Sequence, residues 1–334
     1  MTESSYTTPN APVQTEPMNG TGLPLVIRPA EPGVSLARWA ESEREALTRE
    51  LERHGGILFR DFEIPRLEEF ETIVRAISGE LLEYKERSSP RHAVSGRIYT
   101  STDYPPSQPI FLHNENSYQA TWPRRIFFHC ATAARQGGET PIADVRRVYQ
   151  RIDPKVRDRF AAKGWMVVRN YGDGLGLPWQ NVFQTEDKAE VEAHCRRNGL
   201  DFEWKPGNRL RTRVVRPAVA RHPQTGEACW FNHATFFHLS TLTPEIRESL
   251  LEEFSEDELP ANTYYGDGSP IEPEALDHLR SCYEAETLAF PWQEGDILML
   301  DNMMVAHGRA PFQGERKVLV CMSHPTTWAD DPQH

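Results

Sequence analysis

The chemistry to look for is set by two side chains two residues apart. In the stretch Phe111-Leu112-His113-Asn114-Glu115-Asn116-Ser117-Tyr118, an extended backbone would turn His113 and Glu115 to one face. An imidazole and a carboxylate converging on one point, completed by a third ligand from elsewhere, make a facial metal site with open positions. If the third ligand is a second imidazole, the set suits non-heme Fe(II) that must also bind dioxygen. His-x-Glu alone is equally the polar pair of a surface strand, so the weight falls on what accompanies it.

Gly137-Gly138-Glu139-Thr140-Pro141 follows closely. Near the C-terminus come Asp301-Asn302-Met303-Met304-Val305-Ala306-His307-Gly308-Arg309-Ala310-Pro311-Phe312 and then Arg316. At these three places, within a span from about Leu25 to about Pro325, the chain resembles the taurine dioxygenase-like (TauD/TfdA) family of Fe(II)/2-oxoglutarate oxygenases. The likeness is strongest to its clavaminate synthase-like and syringomycin aspartyl hydroxylase branch, which carries His-x-Glu where taurine dioxygenase carries His-x-Asp.

The resemblance implies that His113, Glu115 and His307 are the iron ligands and catalytic centre, with 2-oxoglutarate and dioxygen as co-substrates. It implies a hydroxyl hydrogen bond from Thr140 to 2-oxoglutarate. The distal carboxylate of that co-substrate needs a charge partner, and the planar fork of an arginine matches it. Arg316 is the first candidate. Arg309 ranks second, because it follows the third ligand too closely to point well away from the metal. Family members often carry a second arginine four residues after the first; here that position is Val320, which argues against a sulfonate substrate. The implied reaction couples decarboxylation of 2-oxoglutarate, to succinate and carbon dioxide, with hydroxylation of an unactivated C–H bond. Desaturation and epoxidation use the same oxidant. Halogenases of this chemistry have a small residue in place of the carboxylate, so Glu115 argues against halogenation.

Substrate contacts are expected among Asn116, Ser117 and Tyr118, which follow the ligands, among Tyr99, Ser101 and Asp103, which precede them, and at Asn232 and His233 after a later strand. For each of these a structural hydrogen bond is an equal reading. Arg209, Arg211 and Arg213 alternate with other residues, and Arg216 and Arg221 follow. They form either a solvated strand face or a patch that docks an acidic carrier protein bearing a tethered aminoacyl group. The substrate expected is an amino acid, free or carrier-tethered, in specialised (natural-product) metabolism. Two rivals are a metal-binding jelly roll without oxygenase activity and a zinc hydrolase. The first has no use for Thr140 and Arg316, and the second lacks a general base beside the site.

Several elements must position these residues. Residues 1–22, rich in Thr, Ser, Pro and Asn, read as a disordered tail. Ser35 caps a helix running to Gly55-Gly56, Ile57-Leu58-Phe59 is a buried strand, and Leu67 to Ile77 is a second helix. Ile98 to Thr102 is a short strand. The apolar run Ile126 to Ala131 is a core strand in which His129 is a hydrogen-bonded core histidine. Asp144 to Lys163 is helical with a break at Asp153-Pro154. Gly172 to Pro178 is a loop, and Thr185 to Arg197 is a charged helix. Strands at Val214-Val215 and Trp230-Phe231 follow, then helices from Thr243-Pro244 and over Glu274 to Tyr283. Ile297 to Leu300 is a strand aimed at His307, and Lys317 to Met322 is the last strand. The fold class expected is mainly β with helical decoration (α+β). The resemblance implies a double-stranded β-helix (jelly roll, cupin-like) core: one catalytic domain over 23–334, with a large insertion between Glu115 and His307.

The 334 residues suffice for such a domain, and 38% hydrophobic content for its core. A net charge of −12 argues against nucleic acid or an anionic membrane as partner. No apolar run is long enough to span a bilayer. Five well-separated cysteines without a CxxC pair and no signal-peptide pattern suggest a cytoplasmic protein with reduced thiols.

Overall fold

The computed structural model describes residues 12–20, 22–64, 67–82, 93–95, 97–100, 104–172 and 176–330. Two facing sheets form its centre. The larger has eight strands in the order Val13–Pro17, Leu25–Pro29, Gly56–Phe59, Ile297–Asp301, Thr121–Thr132, Lys317–Thr327, Ile98–Thr100, Ala93–Ser95. The smaller has four, in the order Thr287–Leu288, Ile142–Asp144, Val305–Arg309, Ile110–His113. This is the jelly-roll class expected.

Three central strands of the large sheet are largely apolar over residues 126–131, 297–300 and 318–322, because both of their faces are covered there. Along Thr121–Thr132, Ile126, Phe128 and Cys130 face the core shared with the small sheet, while Phe127 faces the three N-terminal helices. Ile297–Asp301 and Lys317–Thr327 divide likewise: Leu298, Leu300, Val318 and Val320 on one side, Ile297, Met299, Leu319 and Cys321 on the other. A period of two with no polar face reads in sequence as a continuous apolar run. The same alternation sends His129 to the helix side. There its ring stacks on Phe70 at 5.0 Å and its Nδ1 lies 3.2 Å from the Asp296 carbonyl.

Residues 13–20 depart from the disordered tail expected over 1–22, of which residues 1–11 and 21 lie outside the described residues. Val13–Pro17 is a strand paired antiparallel with Leu25–Pro29, followed by a 3-10 turn at Met18–Gly20. Edge pairing satisfies its backbone without the apolar side chains whose scarcity suggested disorder. The Ser35-capped helix breaks in two, Leu36–Ser42 and Arg44–His54, at Glu43. Here the Ser42 hydroxyl donates to the Trp39 carbonyl at 2.9 Å, a local bond that competes with the helical ladder. The charged helix starts later than expected, at Lys188. Asp187 caps it by accepting from the Ala189 amide at 2.8 Å. Part of the loop expected over Gly172 to Pro178 lies outside the described residues.

Between Glu115 and His307 the chain also builds a separate four-stranded sheet, Asp201–Lys205, Arg209–Arg216, Trp165–Tyr171, Ala261–Tyr265. The expected basic face lies on it. Arg211 is buried and pairs with Asp257 at 3.0 Å, Arg209 lies 3.9 Å from Glu258, and Arg213 lies 3.8 Å from Glu203. Arg216 donates to the carbonyls of Tyr118 and Asn198, and Arg221 to that of Gly226. Strand alternation aligned these arginines, and acidic residues of neighbouring segments lie within ion-pair distance of Arg209, Arg211 and Arg213.

Candidate active site

His113 ends the strand Ile110–His113, and its backbone is paired directly with His307 on Val305–Arg309. The adjacent strands bring the two rings to 4.6 Å between centroids. Glu115 arrives differently from the expectation. It is not on the strand but in the turn that follows, where Asn116 takes a left-handed backbone with φ of 59°. The turn, not strand alternation, swings the carboxylate back. Glu115 Oε2 lies 3.8 Å from His307 Nε2, and ligand atoms of His113, Glu115 and His307 all fall within 4.8 Å of one another.

The surroundings fix these groups. His113 Nδ1 donates to the Phe111 carbonyl at 2.9 Å, which leaves Nε2 with its lone pair for a metal. Phe128 packs on His307 at 4.9 Å and Phe236 on His113 at 4.5 Å. Asn302 is fully buried and spans the Glu115 turn. Its Oδ1 accepts from the Glu115 amide at 2.6 Å, and its Nδ2 donates to the carbonyls of Glu115 and Pro123 at 2.9 and 2.8 Å. The sequence drew attention to Asn302 only as a neighbour of His307.

The strand Ile297–Asp301 does not itself lead to His307. It belongs to the large sheet, and the turn at Asp301–Met304 carries the chain across to the small one. Asp301 Oδ1 accepts from the amides of Met303 and Met304 in that turn, and its Oδ2 meets buried His222 at 3.1 Å. Past His307, a Cβ on Gly308 would stand 2.6 Å from the Ile110 carbonyl. The strand therefore passes its partner, at an irregularity in the pairing, only with glycine there.

Thr140 and Arg316 meet on one side of the triad. A Cβ on Gly137 would lie 2.2 Å from the Pro311 carbonyl, so the Gly-Gly turn lets the two segments close. Arg316 donates through Nε to the Gly138 carbonyl at 2.8 Å and lies 3.4 Å from Thr140 Oγ1 through Nη2. Trp292, which the sequence did not flag, donates to the same oxygen at 3.1 Å. Two incoming donors use the lone pairs of the Thr140 oxygen and leave its own proton to be donated. Burial pushes the Arg316 guanidinium down to about 10, and the nearby charge of Arg309 adds to this. An entering carboxylate would relieve both effects. Arg309 itself donates to the carbonyls of Tyr104, Pro105 and Gln108. It secures that loop while also lining the small cavity beside Arg316.

Two cavities meet at His113. One is small and lined by Thr140, Arg316, Val318, Val320, Phe128 and His307. The other, of about 350 Å³, opens toward the insertion and is walled by Phe111, Phe236, Phe237 and Leu242, with Glu115, Asn116, Arg169 and His233 among its polar groups. Of the expected substrate residues, Asn116 and His233 line it. Ser117, bonded to His233 Nδ1, and Tyr118, packed edge-on against the His233 ring, stand behind that histidine. Asn232 holds the Ala218 carbonyl and the Ala234 amide, and Tyr99 lies in the core. Ser101 and Asp103 lie outside the described residues. Arg169 and Phe236 were not foreseen. They come from the insertion, whose folding back over the site leaves no local signal.

A half-buried and a buried imidazole and a buried carboxylate with an open side are the donor set and surroundings that Fe(II) requires. The half-buried arginine and buried hydroxyl nearby fit a dicarboxylate. Comparison with known proteins agrees. Residues 17–322 match the model of the family described as taurine catabolism dioxygenase TauD, TfdA family. The chain is 42% identical over 275 residues to dapdiamide synthesis protein DdaC of Enterobacter agglomerans, covering 82% of this chain and 84% of that one. It is 29% identical over 318 residues to a clavaminate synthase-like protein of Arabidopsis thaliana, covering 90% and 93%. Among solved structures it resembles PvcB, an Fe, alpha-ketoglutarate dependent oxygenase from an isonitrile synthetic pathway, with a TM-score of 0.56 at 16% identity, covering 96% and 94%.

Proposed function

Because this chain belongs to the TauD, TfdA family and is an Fe(II)/2-oxoglutarate-dependent oxygenase, we propose that it hydroxylates an unactivated C–H bond of a small amino-acid-derived intermediate in a biosynthetic pathway. His113, Glu115 and His307 would hold the iron. Thr140 and Arg316 would bind the distal carboxylate of 2-oxoglutarate, with Arg309 adding positive charge behind them. When bound, iron, 2-oxoglutarate and dioxygen supply the oxidant, releasing succinate and carbon dioxide. The chain's own residues bind, orient and exclude water.

The observation that carries this reading is the pair of cavities joined at His113. One carries the dicarboxylate clamp, and the other is a mostly apolar chamber of a size suited to a small metabolite. A structural metal site needs neither. The biosynthetic setting is supported by the relative whose name ties it to dapdiamide synthesis. Five buried free cysteines support a reducing, cytoplasmic setting, and among the described residues no helix is long and apolar enough to cross a membrane.

The test is to add Fe(II) and then 2-oxoglutarate without oxygen, record the visible charge-transfer band of the chelate, and then screen amino acids and their acyl derivatives for succinate release in air. A band and substrate-dependent succinate support the proposal, and product mass separates hydroxylation from desaturation. If no band forms and Arg316→Ala changes nothing, the assignment of the clamp is wrong.

A further inference from the structure

We infer that His233 is the residue that selects the substrate in the larger cavity. Its Nε2–H, together with the Asn116 carboxamide, receives the oxygen of a substrate carbonyl or carboxylate beside the metal ligands, and Ser117 sets the tautomer that makes this nitrogen a donor. The inference rests on the oxygenase reading above and names the chemistry that the same site recognises.

His233 sits in the loop that follows the strand Ala228–Trp230. Asn232 anchors that loop through the Ala218 carbonyl and the Ala234 amide. The ring stacks on Phe237 at 4.9 Å, runs nearly parallel to Trp165 at 6.4 Å, and meets Tyr118 and Phe236 edge-on at 5.3 and 5.2 Å. These aromatic neighbours fix its plane. Its centroid is 5.6 Å from that of His113. The residue is only 2% exposed, yet it lines the cavity.

The two ring nitrogens have different surroundings. Nδ1 is bonded to the hydroxyl of Ser117, which is fully buried. Among the described residues that hydroxyl has no acceptor other than Nδ1, and an enclosed O–H without an acceptor is costly. Ser117 therefore donates to Nδ1, and the ring proton resides on Nε2. Nε2 has no partner among the described residues and keeps contact with the cavity.

Asn116, next to Glu115 in the turn, is 8% exposed and also lines the cavity. Neither its Oδ1, which is fully enclosed, nor its Nδ2 has a hydrogen-bond partner among the described residues. A buried carboxamide that the protein itself leaves unused is an orphan that a ligand can satisfy. Other polar groups of the wall are committed: Asn170 donates to the carbonyls of Asp257 and Leu259 and accepts from Arg211, and Thr241 donates to the Thr235 carbonyl. Two uncharged hydrogen-bonding groups beside the metal ligands, with Phe236, Phe237 and Leu242 as an apolar wall, fit a carbonyl or carboxyl oxygen carried on a hydrocarbon body.

The test is NMR on the full protein with isotope-labelled histidine ring nitrogens, loaded with 2-oxoglutarate and with Zn(II) in place of Fe(II) so that the lines stay sharp. The His233 resonances are those lost in His233→Gln, or in His233→Phe should the first variant not fold. The expected spectrum has the proton on Nε2 and none on Nδ1. Hexanamide and hexanoate are then titrated in. At least one should bind and move the Nε2–H resonance, and which of them does so tells an amide from a carboxylate. By calorimetry, His233→Phe and Asn116→Ala should each weaken that binding about threefold to tenfold, the scale of one hydrogen bond. His233→Gln, which keeps an amide donor, should retain part of it. A proton on Nδ1, no binding of either compound, or a bound compound that leaves the Nε2 resonance in place overturns the inference. Undiminished binding to the folded His233→Phe and Asn116→Ala variants does so as well. The Fe(II)/2-oxoglutarate band of the wild type is recorded separately. Its absence counts against the oxygenase reading instead, and the tautomer and the titrations, repeated without metal, then decide this one.

Discussion

Asn302 grips the Glu115 residue at both of its backbone polar groups, accepting from its amide at 2.6 Å and donating to its carbonyl at 2.9 Å. The turn that brings the carboxylate to His113 and His307 is thus held by a side chain from the far end of the sequence. Asn302 is itself fixed: its amide donates to the Arg124 carbonyl, and its carbonyl accepts from Asn114 Nδ2. Asn302→Ala should lower Fe(II) affinity about 10–100-fold, the usual cost of losing a group that orients a ligand. It should also lower the melting temperature, because buried donors and acceptors lose their partners. Metal titration followed by optical absorption, with a thermal melt alongside, checks both. Unchanged Fe(II) binding would show that the turn holds itself.

Gly308 lets His307 and His113 sit side by side. Gly308→Ala pushes a methyl group toward the Ile110 carbonyl. The expected loss is about 1–3 kcal/mol in chemical denaturation, with weakened iron binding, since the strand that carries His307 has to shift.

Arg316→Gln should raise the KM for 2-oxoglutarate about thirtyfold or more, corresponding to at least about 2 kcal/mol for removing one member of a buried charge pair. The KM for the prime substrate should stay close to wild type, because the residue lines the small cavity and not the large one. A parallel rise in both constants would place Arg316 elsewhere in the mechanism.

Stability should fall in mild acid. Burial holds His238 and His324 down at about 4, with Arg280 adding to the effect at His238 and Arg125 and Arg124 at His324. Between about pH 6.5 and pH 4 the unfolded chain therefore binds more protons than the folded one, and unfolding becomes more favourable as pH drops. The contribution is complete above the unfolded value, is lost progressively down to the folded one, and then levels off. His324→Gln should make the melting temperature less steep across that window. An unchanged slope in both His324→Gln and His238→Asn would mean that other groups control it.

By itself the sequence determined the reaction class, the three metal ligands to test, and most of the elements. The reasons are local. Apolar runs and caps such as Ser35 act over a few residues, and each of the three separate motifs that carry the family resemblance is short. The tertiary structure decided what depends on distant segments meeting. Glu115 reaches His113 and His307 through a turn clamped by Asn302, not through strand alternation. Arg209, Arg211 and Arg213 look like an isolated basic face in one dimension, and in three each has a carboxylate from another segment within 4 Å. Trp292, Arg169 and Phe236 join the site only because a loop and the insertion fold over it, and side chains brought together across long stretches of chain have no spacing that a sequence can display.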